Sequence, residues 1–138
     1  MAKATTRPMT LVLMSGEADR IHMALMMGAT AAAVGRPVTF FFSKGAICFL
    51  QVDGWGKLLS ENGQTGLEMD EALMAKGVAD STVLLDGLGA LDARFVACET
   101  ALRERDIDTA TLVTRPSVEI SGLADILEKG AGGDWLTF

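Results

Sequence analysis

Residues 9–42 constrain the fold of this chain more tightly than any other stretch. The run Met9-Thr10-Leu11-Val12-Leu13-Met14 is apolar almost throughout, the pattern of a buried strand. Ser15, Gly16, Glu17 and Asp19 supply turn and capping residues. Residues 18–34 then take up a helical period in which Ile21, Leu25, Met26, Ala29, Ala32 and Ala33 share one broad face. The small side chains on that face let the helix lie close to a sheet. Gly35 closes the helix, and Pro37-Val38-Thr39-Phe40-Phe41-Phe42 reads as a second buried strand. Strand, helix and strand make a βαβ unit, whose right-handed crossover sets the two strands parallel in one sheet. Ser15-Gly16 lacks both the G-x-G-x-x-G spacing and a Walker sequence, so nothing here supports a dinucleotide or P-loop site.

The remainder continues the alternation that defines the α/β class. Residues 46–50 read as a short helix. Residues 53–66, with Gly54, Gly56, Gly63 and Gly66, have the composition of a loop that serves as a lid or an interface element. Helices follow over 67–76, stopped by Gly77, and over 81–91, capped by Asp80 or Ser81 with Val83, Leu84, Leu88 and Leu91 as the apolar side. Strand three covers 94–97 and a helix 99–105, while 109–113 reads as a turn or short strand. Residues 117–120 read as the last core strand, and Ser121 caps a helix over 122–129 that Gly130 ends. The tail 132–138 is apolar where tails are usually polar, so Trp135 and Phe138 are expected to dock.

Chemistry concentrates at Cys98. The run Arg94-Phe95-Val96-Ala97 delivers it to the start of a helical pattern, between a strand's carboxyl end and a helix's amino end. A thiol there meets unpaired backbone N–H groups and the positive end of the helix dipole, both of which favour the reactive thiolate. The competing reading is a small apolar filler, the commonest use of a free cysteine.

With 12 Lys and Arg against 18 Asp and Glu, the net charge is −6, which argues against nucleic acid or an anionic membrane as partner. The apolar stretches around 21–34 and 38–52 are interrupted and shorter than the roughly 20 residues a transmembrane helix needs. Residues 1–10 carry Lys3 and Arg7 but no apolar signal-peptide core, so a cytoplasmic protein is expected. Cys48 and Cys98 are too few for a disulfide framework and too far apart for a compact metal motif, and no metal or cofactor is expected. One domain spanning 1–138 accounts for the length. An apolar fraction of 49% and a mean hydropathy of +0.31 are high for a small monomer, so self-association is expected.

The chain resembles the DsrE/DsrF-like sulfur-relay family, most closely its branch of small single-domain DsrE-like proteins. The resemblance is carried by Ala31-Ala32-Ala33-Val34-Gly35, by Val38-Thr39-Phe40-Phe41-Phe42-Ser43, by Arg94-Phe95-Val96-Ala97-Cys98, and by Val118-Glu119-Ile120-Ser121-Gly122-Leu123-Ala124. It implies a single-domain three-layer α/β sandwich with a mainly parallel sheet and helices on both faces, assembled as a homotrimer or homohexamer. It also implies a sulfur carrier or sulfurtransferase whose cysteine holds sulfane sulfur as a persulfide. Donor and acceptor would be proteins or small sulfane-sulfur compounds. Cys98 matches that cysteine. The chain departs from the family in the Gly-rich insertion at 53–66 and in having no His or Lys beside Cys98.

Three accessory candidates follow. Cys48 lies just beyond the second strand and faces either the core or the same mouth as Cys98. His22, one turn into the first helix, offers a general acid or base. Lys44, at the end of strand two, offers a cation for an anionic sulfur species or a thiolate. Two rival functions stay open at this level. One is an oligomeric ligand- or partner-binding scaffold in which Cys98 only packs. The other is a redox switch joining Cys48 and Cys98, which requires their Cα atoms within about 7 Å.

Overall fold

The computed structural model describes residues 7–138, so the stretch read above for a targeting signal lies mostly outside the described residues. Within them, β1 (Met9–Leu13), α1 (Ala18–Ala33) and β2 (Val38–Phe42) form the expected βαβ unit, Met9 lying beside Val38 and Leu13 beside Phe42. A 3₁₀ segment, Lys44–Leu50, and a 3₁₀ turn, Trp55–Lys57, lead to α2 (Gly66–Ala75) and α3 (Ser81–Ala90). The chain continues through β3 (Arg94–Cys98), α4 (Glu99–Glu104), β4 (Val118–Ser121), α5 (Leu123–Lys129) and β5 (Asp134–Thr137). The five described strands are all parallel, in the order β4-β3-β2-β1-β5.

That order decides the layers. From β1 to β4 the chain steps in one direction across the sheet, so right-handed crossovers place α1, α3 and α4 on one face; the return from β4 to β5 places α5 on the other. The class is α/β, with helices on both faces. Strand alternation assigns the faces: Leu11, Leu13, Phe40, Phe42 and Phe95 point towards α1, whereas Val12, Phe41, Val96 and Cys98 point towards α5.

Residues 117–120 are not a last core strand. β4 is a sheet edge with Glu119 and Ile120 exposed, and the tail supplies a further strand, β5, at the opposite edge beside β1. A four-residue edge strand buries one face at most, so Asp134-Trp135-Leu136-Thr137 carries too few apolar residues to read as a strand from sequence. The apolar tail docks in part within its own chain: Leu136 and Phe138 are half-buried, whereas Trp135 stays exposed, so only Trp135 remains in the argument for self-association.

α1 buries Ala18, Ile21, Ala24, Leu25, Gly28, Ala31 and Ala32, the i, i+3, i+4 and i+7 spacing of a core-facing helix. Its approach to the sheet is set at Gly28, where a Cβ would stand 2.3 Å from Cζ of Phe40. Phe40 cannot give way, because its ring is fully buried and stacked on Phe95 with centroids 5.1 Å apart. α3 buries Leu84 and Leu88 but leaves Val83 and Leu91 exposed, a narrower apolar side than the spacing implied.

α1 and α2 end in the same device. The N–H of Gly35 bonds Ala32 O and that of Arg36 bonds Ala31 O, and Gly77 and Val78 repeat the pattern on Met74 and Leu73. These Schellman closures need a left-handed residue, and Gly35 (φ 91°) and Gly77 (φ 71°) supply it without a steric penalty. α2 begins with a capping box between Thr65 and Glu68, and Asp80 caps α3 by accepting from the Val83 N–H.

Candidate functional site

Cys98 is the last residue of β3 and the N-cap of α4, at the carboxyl edge of the parallel sheet. The junction arises where the buried run Phe95-Val96-Ala97 meets Glu99, Thr100, Ala101 and Leu102, of which Ala101 and Leu102 are buried. The thiol makes no capping hydrogen bond. Its cross-strand neighbour is Ser121, whose hydroxyl donates to Asp125 Oδ2 at 2.9 Å, and the Glu99 carboxylate lies against Gly122. The Ser121 hydrogen bond, then Lys129 at 3.2 Å, holds the Asp125 carboxyl below the usual carboxylate range. Cys98 itself is 3% exposed.

Each accessory candidate has a polar partner or setting of its own. His22 sits on α1, which covers the opposite face of the sheet; it is buried, with Nε2 2.9 Å from the carbonyl of Ala79. A carbonyl only accepts, so Nε2 carries the proton and the ring ties α1 to the chain entering α3. Lys44 is ion-paired to Glu104 at 2.9 Å, which lowers the Glu104 carboxyl pKa. Glu104 ends α4 and Cys98 caps its start, so the pair lies about 9 Å along the helix from the Cys98 position. Cys48, on the 3₁₀ segment after β2, is half-buried with Sγ 4.0 Å from Gly54 O. It lines a cavity of about 430 Å³ beside Arg105, Asp106 and Asp108. Both cysteines are free thiols.

The glycine-rich stretch at 53–66, which reads as a loop serving as a lid or an interface element, is tied into the core at Trp55. Trp55 is buried, edge-on to Phe49 with centroids 5.2 Å apart, and its Nε1–H donates to Asp70 Oδ2 at 2.8 Å. Asp70, itself buried on α2, also accepts from the Ser81 N–H at 2.9 Å on Oδ1 and from the Ser81 hydroxyl at 2.6 Å on Oδ2. One carboxylate thus joins the insertion, α2 and the start of α3. Beside this network opens a cavity of about 400 Å³, lined on one side by Trp55 and Ser81 and not by Cys98. The only sequence signal for it was a tryptophan among glycines.

Among the described residues, no group of three or more His, Cys, Asp or Glu side chains converges as metal ligands would. No described helix is long and apolar enough to cross a membrane.

No family model matches this sequence, and no curated protein matches it. Solved structures do match its shape. A protein of unknown function from Methanobacterium thermoautotrophicum, MTH1491, superposes with a TM-score of 0.63 at 15% identity, over 96% of this chain and 99% of that one. The ychN protein of E. coli superposes with a TM-score of 0.62 at 17% identity, over 96% of this chain and 100% of that one. At such identities the likeness establishes the architecture, a parallel α/β sheet fold shared along nearly the whole chain.

Proposed function

We propose that the protein is a sulfur carrier that holds sulfane sulfur as a persulfide on Cys98 and passes it to a partner thiol. The observation that carries the reading is the position of Cys98: an uncapped thiol at the carboxyl edge of a parallel sheet, at the junction of β3 and α4. Substrate-facing groups of open α/β sheets concentrate at that edge. The resemblance to the DsrE/DsrF-like family supports it, since the implied architecture is the one found. In the forward step the Cys98 thiolate attacks the outer sulfur of a persulfide or polysulfide donor. The new S–S bond forms as the donor's own S–S bond breaks, and the donor leaves as a thiolate. An acceptor thiolate then removes the outer sulfur and returns Cys98 to thiolate, so neither step needs an added oxidant or reductant. The low exposure of Cys98 shields the adduct from bulk solvent.

Incubation with inorganic polysulfide followed by peptide mass spectrometry tests this. One added sulfur on the Cys98 peptide, lost on transfer to a small thiol and absent in Cys98→Ser, is the expected result. Sulfur on Cys48 alone, or none, refutes it.

The burial of Cys98 favours a second reading, a binding scaffold in which the thiol only packs. Native reaction with a thiol reagent no faster at Cys98 than for a buried cysteine is its signature. Assembly belongs to either reading: Ile120, Leu123 and Leu127 remain exposed on β4 and α5, and a trimer or hexamer would cover them.

A further inference from the structure

We propose that the cavity between residues 53–57 and α3 binds a small amphiphilic anion, with a compact apolar body and a single acidic head group. At about 400 Å³ it lies within the roughly 300–1,000 Å³ range of small-molecule sites. Its walls are apolar: Phe49, Trp55, Leu67, Leu85 and Val113. They are also held in place. The indole of Trp55 is fixed by Asp70 through Nε1 and by Phe49 at its edge, and Gly66 lies so close that a Cβ there would stand 2.4 Å from the ring. A wall pinned from three sides loses little freedom when a ligand arrives, which lowers the cost of binding.

Charge selects the head group. Lys57 and Arg115 line the cavity, both exposed, and neither has an ion-pair partner among the described residues. Of the other described cations, Arg7, Arg36, Lys44, Arg94 and Lys129 are paired, and Arg20, Lys76, Arg103 and Arg105 are also without an ion pair among the described residues but do not line this cavity. Asp53 is the one acidic lining residue, so the lining carries two cations against one acid in a chain of net charge −6. A local excess of positive charge against that background suits one anionic group beside an apolar pocket. The site uses none of the chemistry of Cys98.

Dye binding tests the proposal in a Trp135→Phe background, where Trp55 is the sole tryptophan. Anilinonaphthalene sulfonate should bind saturably, one dye per chain, and accept energy from Trp55. Replacing Lys57 and Arg115 together by Gln should weaken it roughly threefold to tenfold, the loss expected for exposed charge-assisted contacts. The uncharged N-phenylnaphthylamine should bind the same variant unchanged, and Val113→Phe should weaken both dyes. Absence of transfer from Trp55, equal loss of both dyes in the charge variant, or indifference to Val113→Phe overturns the proposal. The two charge positions are exposed, so that arm decides the matter even if Val113→Phe fails to fold.

Discussion

Replacing Asp70 should separate a buried structural carboxylate from an incidental one. Its two oxygens accept three hydrogen bonds, from Trp55 Nε1, the Ser81 backbone N–H and the Ser81 hydroxyl. Each such bond to a charged group contributes about 1.5–3 kcal/mol, and a donor left buried without an acceptor costs about 1–3 kcal/mol. In Asp70→Asn, an amide oxygen placed at Oδ2 keeps the Trp55 and Ser81 hydroxyl bonds, and its NH₂ then faces the Ser81 N–H. One charge-assisted bond is lost outright, so the expected cost is about 1.5–3 kcal/mol. In Asp70→Ala all three donors lose their acceptor and a small void opens, for about 3–5 kcal/mol after allowing for non-additivity. That is a large share of the ~5–15 kcal/mol stability of an ordinary domain. Urea unfolding in the Trp135→Phe background reads both quantities, with Trp55 emission reporting the indole's surroundings directly. The order parent, then Asn, then Ala, with a red shift of Trp55 in the Ala variant, is expected. An Asn variant as stable as the parent would refute the reasoning, because it would show that the α3 end of the network contributes nothing.

Two further perturbations test the sheet. Gly28→Ala gains about 1 kcal/mol in helix propensity but drives a methyl into the fixed Phe40 ring, an overpacking cost of about 1–3 kcal/mol or more. Denaturation should show a net loss, recovered when Phe40→Leu is added, and a stabilised Gly28→Ala would disprove the close helix–sheet contact. At the β3–β4 edge, Arg94 hydrogen-bonds Glu119 at 2.7 and 2.9 Å and holds its carboxyl below the usual range, while its own pKa is raised by the same bond. A depressed folded pKa contributes stability that is present above the unfolded carboxylate value of about 4.3 and is lost as pH falls through the folded value. Because Glu119 is half exposed, the contribution is under about 1 kcal/mol. Melting temperature should therefore fall less steeply below about pH 4 in Glu119→Gln than in the parent, and parallel acid limbs would refute the pairing.

The local order of the fold was legible in the sequence because it is encoded locally. The period of Ile21, Leu25, Ala29 and Ala32, the apolar runs at 9–14 and 37–42, and the stops at Gly35 and Gly77 each depend on neighbours within a few residues. The strand end at Cys98 and the helix after it were readable for the same reason. What lay beyond reach depends on contacts between distant residues. Whether residues 117–120 form a core strand or an edge is decided by what pairs beside them, and β5 exists only because β1 offers it a free edge. His22 and Lys44 sit near the right end of the sheet in sequence, but Ala79 and Glu104, remote partners, take up their polar atoms. Asp70 looks like any helical surface acid until Trp55 and Ser81 close on it, and a tryptophan in a glycine-rich stretch looks like a loop residue until Gly66 lets it lie flat. Sequence determined most of the segments that form strands and helices, β5 excepted, and which cysteine ends a strand. Only the tertiary structure decided which polar groups are buried together and where a cavity remains, since burial belongs to pairs of surfaces and not to any one stretch of chain.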